Sequence, residues 1–136
     1  MARVLEWNDA EVIAKVRQGV MQGVVRGTEM VRNEALRLIM QTAKTGRLYT
    51  MRGVVHRASA PGEAPASDTG RLVNSITTSY DDKKLSGLVA ANTEYAPYLE
   101  YGTAKMEERP FMRPALANMQ DQFLESVAQA ITGALK

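Results

Sequence analysis

Apolar residues recur every three, four or seven positions along the first third of the chain, at Val12, Val16, Val20, Val24, Val31, Ala35 and Leu38, with charged and amide side chains between them. That period predicts one long amphipathic helix. Asn8 followed by Glu11 has the spacing of a capping box at its start, and Gly46, directly after Thr45, supplies a stop. At 1.5 Å per residue the helix spans about 50 Å. So small a chain has too little left to cover it, and part of it is expected to pack on neighbouring subunits. The same helix carries Gly19, Gly23 and Gly27, a small residue at every fourth position. Each costs about 1 kcal/mol relative to alanine inside a helix, which calls for close backbone approach by another element. That element is either this chain's own sheet or C-terminal helix, or a second subunit.

From Arg47 the period shortens. Leu48–Met51 and Val54–Arg57 read as two strands around Arg52-Gly53, forming a hairpin arm over about residues 47–66. Pro61, Gly62 and Pro65 keep the segment after the strands irregular. Asp68 or Thr69 then caps a short helix containing Leu72, Val73 and Ile76. Thr77–Tyr80 and Leu85–Ala91 form an antiparallel pair across the polar turn Asp81-Asp82-Lys83-Lys84. Pro114 suits the first turn of a last helix, where its missing amide is not needed. Leu116, Met119, Phe123, Val127, Ile131 and Leu135 follow as one core-facing stripe. The expected fold is α+β: long N-terminal and C-terminal helices packed on a small antiparallel β-sheet, with a projecting loop or hairpin arm. Its 136 residues make one domain.

Seventeen Lys plus Arg against fifteen Asp plus Glu leave a net charge of +2, far from that of a dedicated nucleic-acid binder. With no cysteine there is neither a disulfide nor a thiolate metal site. No apolar run is long enough for a membrane span, and the acidic residues in MARVLEWNDAEV are unlike a secretory signal, so synthesis and use in a cytoplasm are expected. Lys44, Arg47, Arg52 and Arg57 stand beside His56 with no acidic residue among them. The strip is either a solvated loop or a contact surface. Its contact candidates are Arg47, Tyr49, Arg52, His56 and Arg57, directed at DNA or at a protein partner. His56 is the sole imidazole, Glu107 and Glu108 read as a salt-linked turn beside Arg109, and Gly62 and Gly70 lack the Lys-Ser/Thr of a phosphate loop. No enzyme, cofactor or metal is expected.

Between Asn92 and Ala115 lie three tyrosines, three prolines, one glycine and one phenylalanine. Tyr95, Tyr98 and Tyr101 recur at helical spacing, with Gly102-Thr103 as the helix stop. Rigidly held aromatic rings are what protein interfaces favour. Tyr95, Pro97, Tyr98, Glu100, Tyr101, Gly102, Thr103, Pro110, Phe111 and Pro114 are therefore the interface candidates, the alternative being that the rings cap this subunit's own sheet. The run YAPYLEYGT, followed by Arg109-Pro110-Phe111-Met112-Arg113-Pro114-Ala115, resembles the signature of phage neck or tail-completion proteins, the gene-product-ten-like family of long-tailed phages. ASAPGEAP from Ala58, then Thr69-Gly70-Arg71-Leu72 and Asn74-Ser75-Ile76, resembles the same family upstream. The likeness covers roughly residues 46 to 116.

The resemblance implies a structural protein of the head-to-tail junction of the virion, assembled in the host cytoplasm. It further implies a homo-oligomeric ring, a hexamer by preference and a dodecamer as the alternative. Neck, connector or tail-tube proteins would be its partners, and genomic DNA in the channel a non-specific contact. A nucleic-acid-binding module using residues 44–57 is the rival reading, and a protease built around His56 a third. The arm, with few apolar residues to offset the entropy of ordering, is expected to become fixed on assembly.

Overall fold

The computed structural model describes residues 9–66 and 70–135. Its elements run α1 (Asp9–Met40), β1 (Leu48–Met51), β2 (Val54–Arg57), α2 (Arg71–Ser75), β3 (Ile76–Asp81), β4 (Ser86–Ala91), α3 (Ala96–Tyr101) and α4 (Met112–Ala134). The architecture is α+β, as the periodicities predict. Asn8, Asp68 and Thr69, the residues expected to cap α1 and α2, lie outside the described residues.

Helix α1 ends at Met40, before the predicted limit at Thr45. The Thr42 hydroxyl donates to the Leu38 carbonyl, and the Lys44 ammonium donates to the same oxygen at 2.8 Å. These side chains satisfy an acceptor that the helix end leaves open, so the helix stops before the chain reaches Gly46. Burial pushes the Lys44 pKa down from its usual value.

The glycines of α1 face the chain's own α4, which runs antiparallel to it. A Cβ at Gly19 would lie 3.0 Å from Ile131 Cα, one at Gly23 would lie 2.5 Å from Val127 Cα, and one at Gly27 would strike the Phe123 ring. Of the elements the glycine spacing left open, the C-terminal helix of the same chain is the one that approaches. The buried face of α1 accordingly holds Gly19, Gly23, Val24, Gly27, Thr28, Val31, Glu34, Ala35 and Ile39, whereas Val12, Val16 and Val20 are only half-covered.

The stripe expected on α4 is corrected in the same way. Ala115, Ser126 and Ala130 are its buried residues, Met119, Phe123, Val127 and Ile131 are half-buried, and Leu116 and Leu135 are exposed. Backbones this close admit only small side chains in the seam and turn the large ones to its flanks. Glu34, buried in the pair, binds Arg37 at 2.6 Å and accepts from Asn118 Nδ2 at 3.1 Å, which ties the two helices through a satisfied carboxylate.

Both β-sheets are two-stranded and antiparallel. In β1–β2 Leu48 faces Arg57 and Met51 faces Val54. The loop between them, Arg52 at φ 53° and Gly53 at φ 76°, has the two positive φ values of the tight turn that matches strand twist. In β3–β4 Ile76 faces Ala91 and Asp81 faces Ser86, so Ile76 opens β3 rather than belonging to α2. Leu85, at φ 51°, belongs to the turn, where the Asp81 carboxylate accepts from the Lys83 and Lys84 amides at 2.9 and 3.1 Å. Glu29 of α1 pins this sheet by accepting from Tyr80 at 2.6 Å and Thr78 at 3.1 Å. The core gathers Val31, Ala35, Ile39, Leu72, Ile76, Ala96, Phe111 and Ala115. One face of α1 thus meets residues from both ends of the aromatic-rich segment.

Candidate assembly surface

Helix α3 is short because its sequence brackets it: Pro97 lies at its start, and Gly102, at φ 77°, ends it with its amide on the Tyr98 carbonyl at 2.8 Å. Within it, Glu100 is 5% exposed, and its carboxylate organises everything that follows. Oε2 accepts from the amides of Phe111 at 2.8 Å and Met112 at 3.0 Å. Oε1 accepts from the Arg113 amide at 2.8 Å and from its Nε at 3.0 Å. These amides form the N-terminus of α4, whose own cap position is Phe111, a residue with no side-chain acceptor. Pro114 removes the next donor, so one distant carboxylate satisfies the helix start and places a negative charge where the helix dipole favours it. Burial opposes the charged form, but the three amides and the guanidinium outweigh it and hold the Glu100 pKa below the usual carboxylate value.

The loop from 102 to 110 is fastened at both ends. Arg109 donates its amide to Leu99 at 2.6 Å, and the Thr103 amide donates to Met106 at 2.7 Å. Glu108 pairs with Arg113 at 2.7 Å, so the salt-linked turn exists with Arg113 rather than Arg109 as its cation. The Arg113 guanidinium, held by Glu100 and Glu108, lies 4.9 Å from the centre of the Tyr101 ring.

The ten interface candidates therefore divide by position. Phe111 is 1% exposed and belongs to the core with Glu100 beneath it. Tyr95 is half-buried against that core with Arg71 over its ring at 5.5 Å. Gly102, Pro110 and Pro114 are half-covered, and Pro97 and Thr103 are exposed. Tyr98 and Tyr101, 57% and 67% exposed, present their rings outward on this locked base. Glu100, one of the ten, serves as the cap of α4 rather than facing outward.

The arm is rooted more firmly than its composition suggests. Gly46 and Ala58 continue the ladder with bonds of 2.9 Å each, and Arg57 donates to the Gly46 carbonyl at 3.0 Å. Glu63, given in the sequence only as part of the ASAPGEAP run, takes the Thr45 hydroxyl together with the amides of Thr45 and Ala60 at 3.0 Å, which lowers its pKa from 4.5 to about 2. Tyr49 stacks on His56 with centroids 5.6 Å apart. Arg47, Arg52 and Arg57 are all exposed; with Lys44 and Arg57 engaged by carbonyls, Arg47 and Arg52 are the arginines of the strip left for other contacts, and neither has an ion pair among the described residues.

Among the described residues no group of three or more His, Cys, Asp or Glu is arranged to hold a metal ion, and no helix is long and apolar enough to cross a membrane. A rigid aromatic turn and a basic, partly apolar hairpin thus stand exposed on one small α+β body. Residues 11–102 match the family model described as "Bacteriophage HK97-gp10, putative tail-component", and the chain belongs to this HK97-gp10-like family. Neither the curated proteins nor the solved structures yield a match.

Proposed function

We propose that this chain is a structural protein of the phage head-to-tail neck, forming a ring that completes the tail or connector and lets head and tail join around the DNA channel. Membership of a phage tail-component family carries the reading. The locked turn supports it, because Tyr98 and Tyr101 are presented without the entropy of ordering their backbone on contact. A ring repeats each modest contact, so avidity makes docking effectively irreversible, and head-to-tail contacts between copies close it. The hexamer is preferred over the dodecamer.

Native mass spectrometry of the purified chain and its location in imaged particles test the reading. A closed oligomer found at the head–tail junction is the expected result, and a chain absent from that junction would overturn it. The arm's role at the channel separates on the variant Arg47→Gln/Arg52→Gln. Normal joining with premature genome leakage assigns these arginines to DNA phosphates, whereas heads and tails that accumulate unjoined assign them to a protein. The protein is favoured, because exposed Leu48, Val54 and Val55 accompany the charges and the DNA backbone offers them no apolar surface.

A further inference from the structure

We propose that the hairpin arm of one subunit seats in an apolar groove of the next copy of this chain, an inference that rests on the ring reading above and names its contact. The groove, about 330 Å³ in volume, opens between β4 and the first half of α4, with Thr28 and Val31 of α1 at its base. Leu88, Leu116 and Leu124 line it while remaining 59%, 57% and 58% exposed. Such a cluster on a small protein marks a surface that another body covers.

Shape, charge and position point to the arm as the occupant. Pairing of Leu48 with Arg57 and Thr50 with Val55 puts Leu48 and Val55 on one face of the hairpin, and both are exposed. A lone two-stranded hairpin is marginal in water and gains from a further surface. Between Pro114 and Leu135 the charged residues of α4 are Asp121 and Glu125, both exposed and without an ion pair among the described residues. Asp121 is one turn from Leu124 at the groove rim. The arm brings Arg47 and Arg52, which have no ion pair among the described residues, so the two surfaces complement each other in polarity and in charge.

The arm meets its own chain near Ile39 and Met40, whereas the groove base is at Thr28 and Val31, about 12–18 Å back along α1 at 1.5 Å per residue. Each copy therefore offers an arm at one place and a groove at another. That is the heterologous arrangement from which a ring closes.

The chain has no cysteine, so a disulfide between two introduced thiols reports the contact directly. Val55→Cys and Leu124→Cys proteins, both altered at exposed positions, are mixed under a mild oxidant. The expected product is the mixed Val55→Cys/Leu124→Cys dimer, well above either self-crosslinked species. Asp121→Lys/Glu125→Lys should weaken self-association about tenfold, and Arg47→Glu/Arg52→Glu in the partner copy should restore it. An oligomer of unchanged mass that gives no mixed disulfide, or a Leu124→Cys thiol in particles that crosslinks to a different virion protein, would overturn the arm-in-groove contact and leave the ring reading standing. A chain that is monomeric in solution and in the particle would overturn both.

Discussion

Where α1 meets α4 the chain brings its smallest residues together, and on the hairpin and groove it leaves large aliphatic ones uncovered. The glycines at 19, 23 and 27 lie against α4, while Val55 and Leu124 face outward. The first region closes its apolar surface inside one subunit; the second leaves it in solvent, where the proposed contact between copies would cover it. Exposed leucines and a glycine-rich helix both look like defects in an isolated protein, but only the glycines are answered within the chain.

The Glu100 clamp offers the strongest test of that division. Glu100→Ala leaves three amides and the Arg113 Nε without their acceptor, so a loss of about 3 kcal/mol is expected, read as a fall in denaturation midpoint. Glu100→Gln should fall between the two. A midpoint no lower than that of Glu107→Ala, a substitution at an exposed carboxylate, would remove Glu100 from the closed region.

Next comes the seam. Gly23→Ala forces backbone against backbone, with overpacking of about 1–3 kcal/mol against a helix-propensity gain of about 1 kcal/mol, and net destabilisation is expected. Gly133→Ala is the control: its Cβ meets nothing within 4 Å, so it should stabilise by about 0.4–1 kcal/mol. Equal responses at the two positions would mean that the helices are not in close contact.

Acid separates the arm root from its tip. Glu63 has its folded pKa depressed from 4.5 to about 2, so its contribution is fully present above pH 4.5 and is lost as the pH falls through about 2. The protection of the Thr45 and Ala60 amides, taken relative to the intrinsic exchange rate at each pH, should fall across that window, and Glu63→Gln should abolish the dependence.

The smallest effect on folding is expected at the tyrosines. Tyr98→Ala should change subunit stability by no more than about 0.5 kcal/mol, as surface substitutions do, and Tyr101→Ala, which loses the Arg113 contact, by about 1 kcal/mol or less, yet both should weaken assembly. Equal losses in melting and in ring formation would return these rings to the subunit's own architecture.

Much of this was legible in the sequence, and the misses have two causes. The hairpin strands were set by local turn chemistry at Arg52-Gly53 and matched residue for residue. Periodicity found both long helices but misplaced their buried faces, because hydrophobicity counts large side chains while a close seam selects small ones. Valines 12, 16 and 20 outscored the glycines beside them. Glu100 escaped for a different reason: a cap supplied from another helix has no fixed spacing. One signal was present, since α4 begins at Phe111-Met112-Arg113-Pro114 with no Ser, Thr, Asp or Asn to start it. A helix with no cap of its own must borrow one.

The seam between α1 and α4 also imposes an order on synthesis. Helix α1 emerges first, yet its glycine face waits uncovered while both hairpins and α3 are made, because its partner lies beyond them in the chain. Glu100 is by then already in place as an unfilled acceptor, a mark for where the last helix is to begin. A chain stalled before Met112 should accordingly be cut by protease along α1, and gain resistance only once α4 has emerged. Subunits still on the ribosome would thus lack the groove wall that α4 provides, and the proposed arm-in-groove contact would have to wait until each copy has closed on itself.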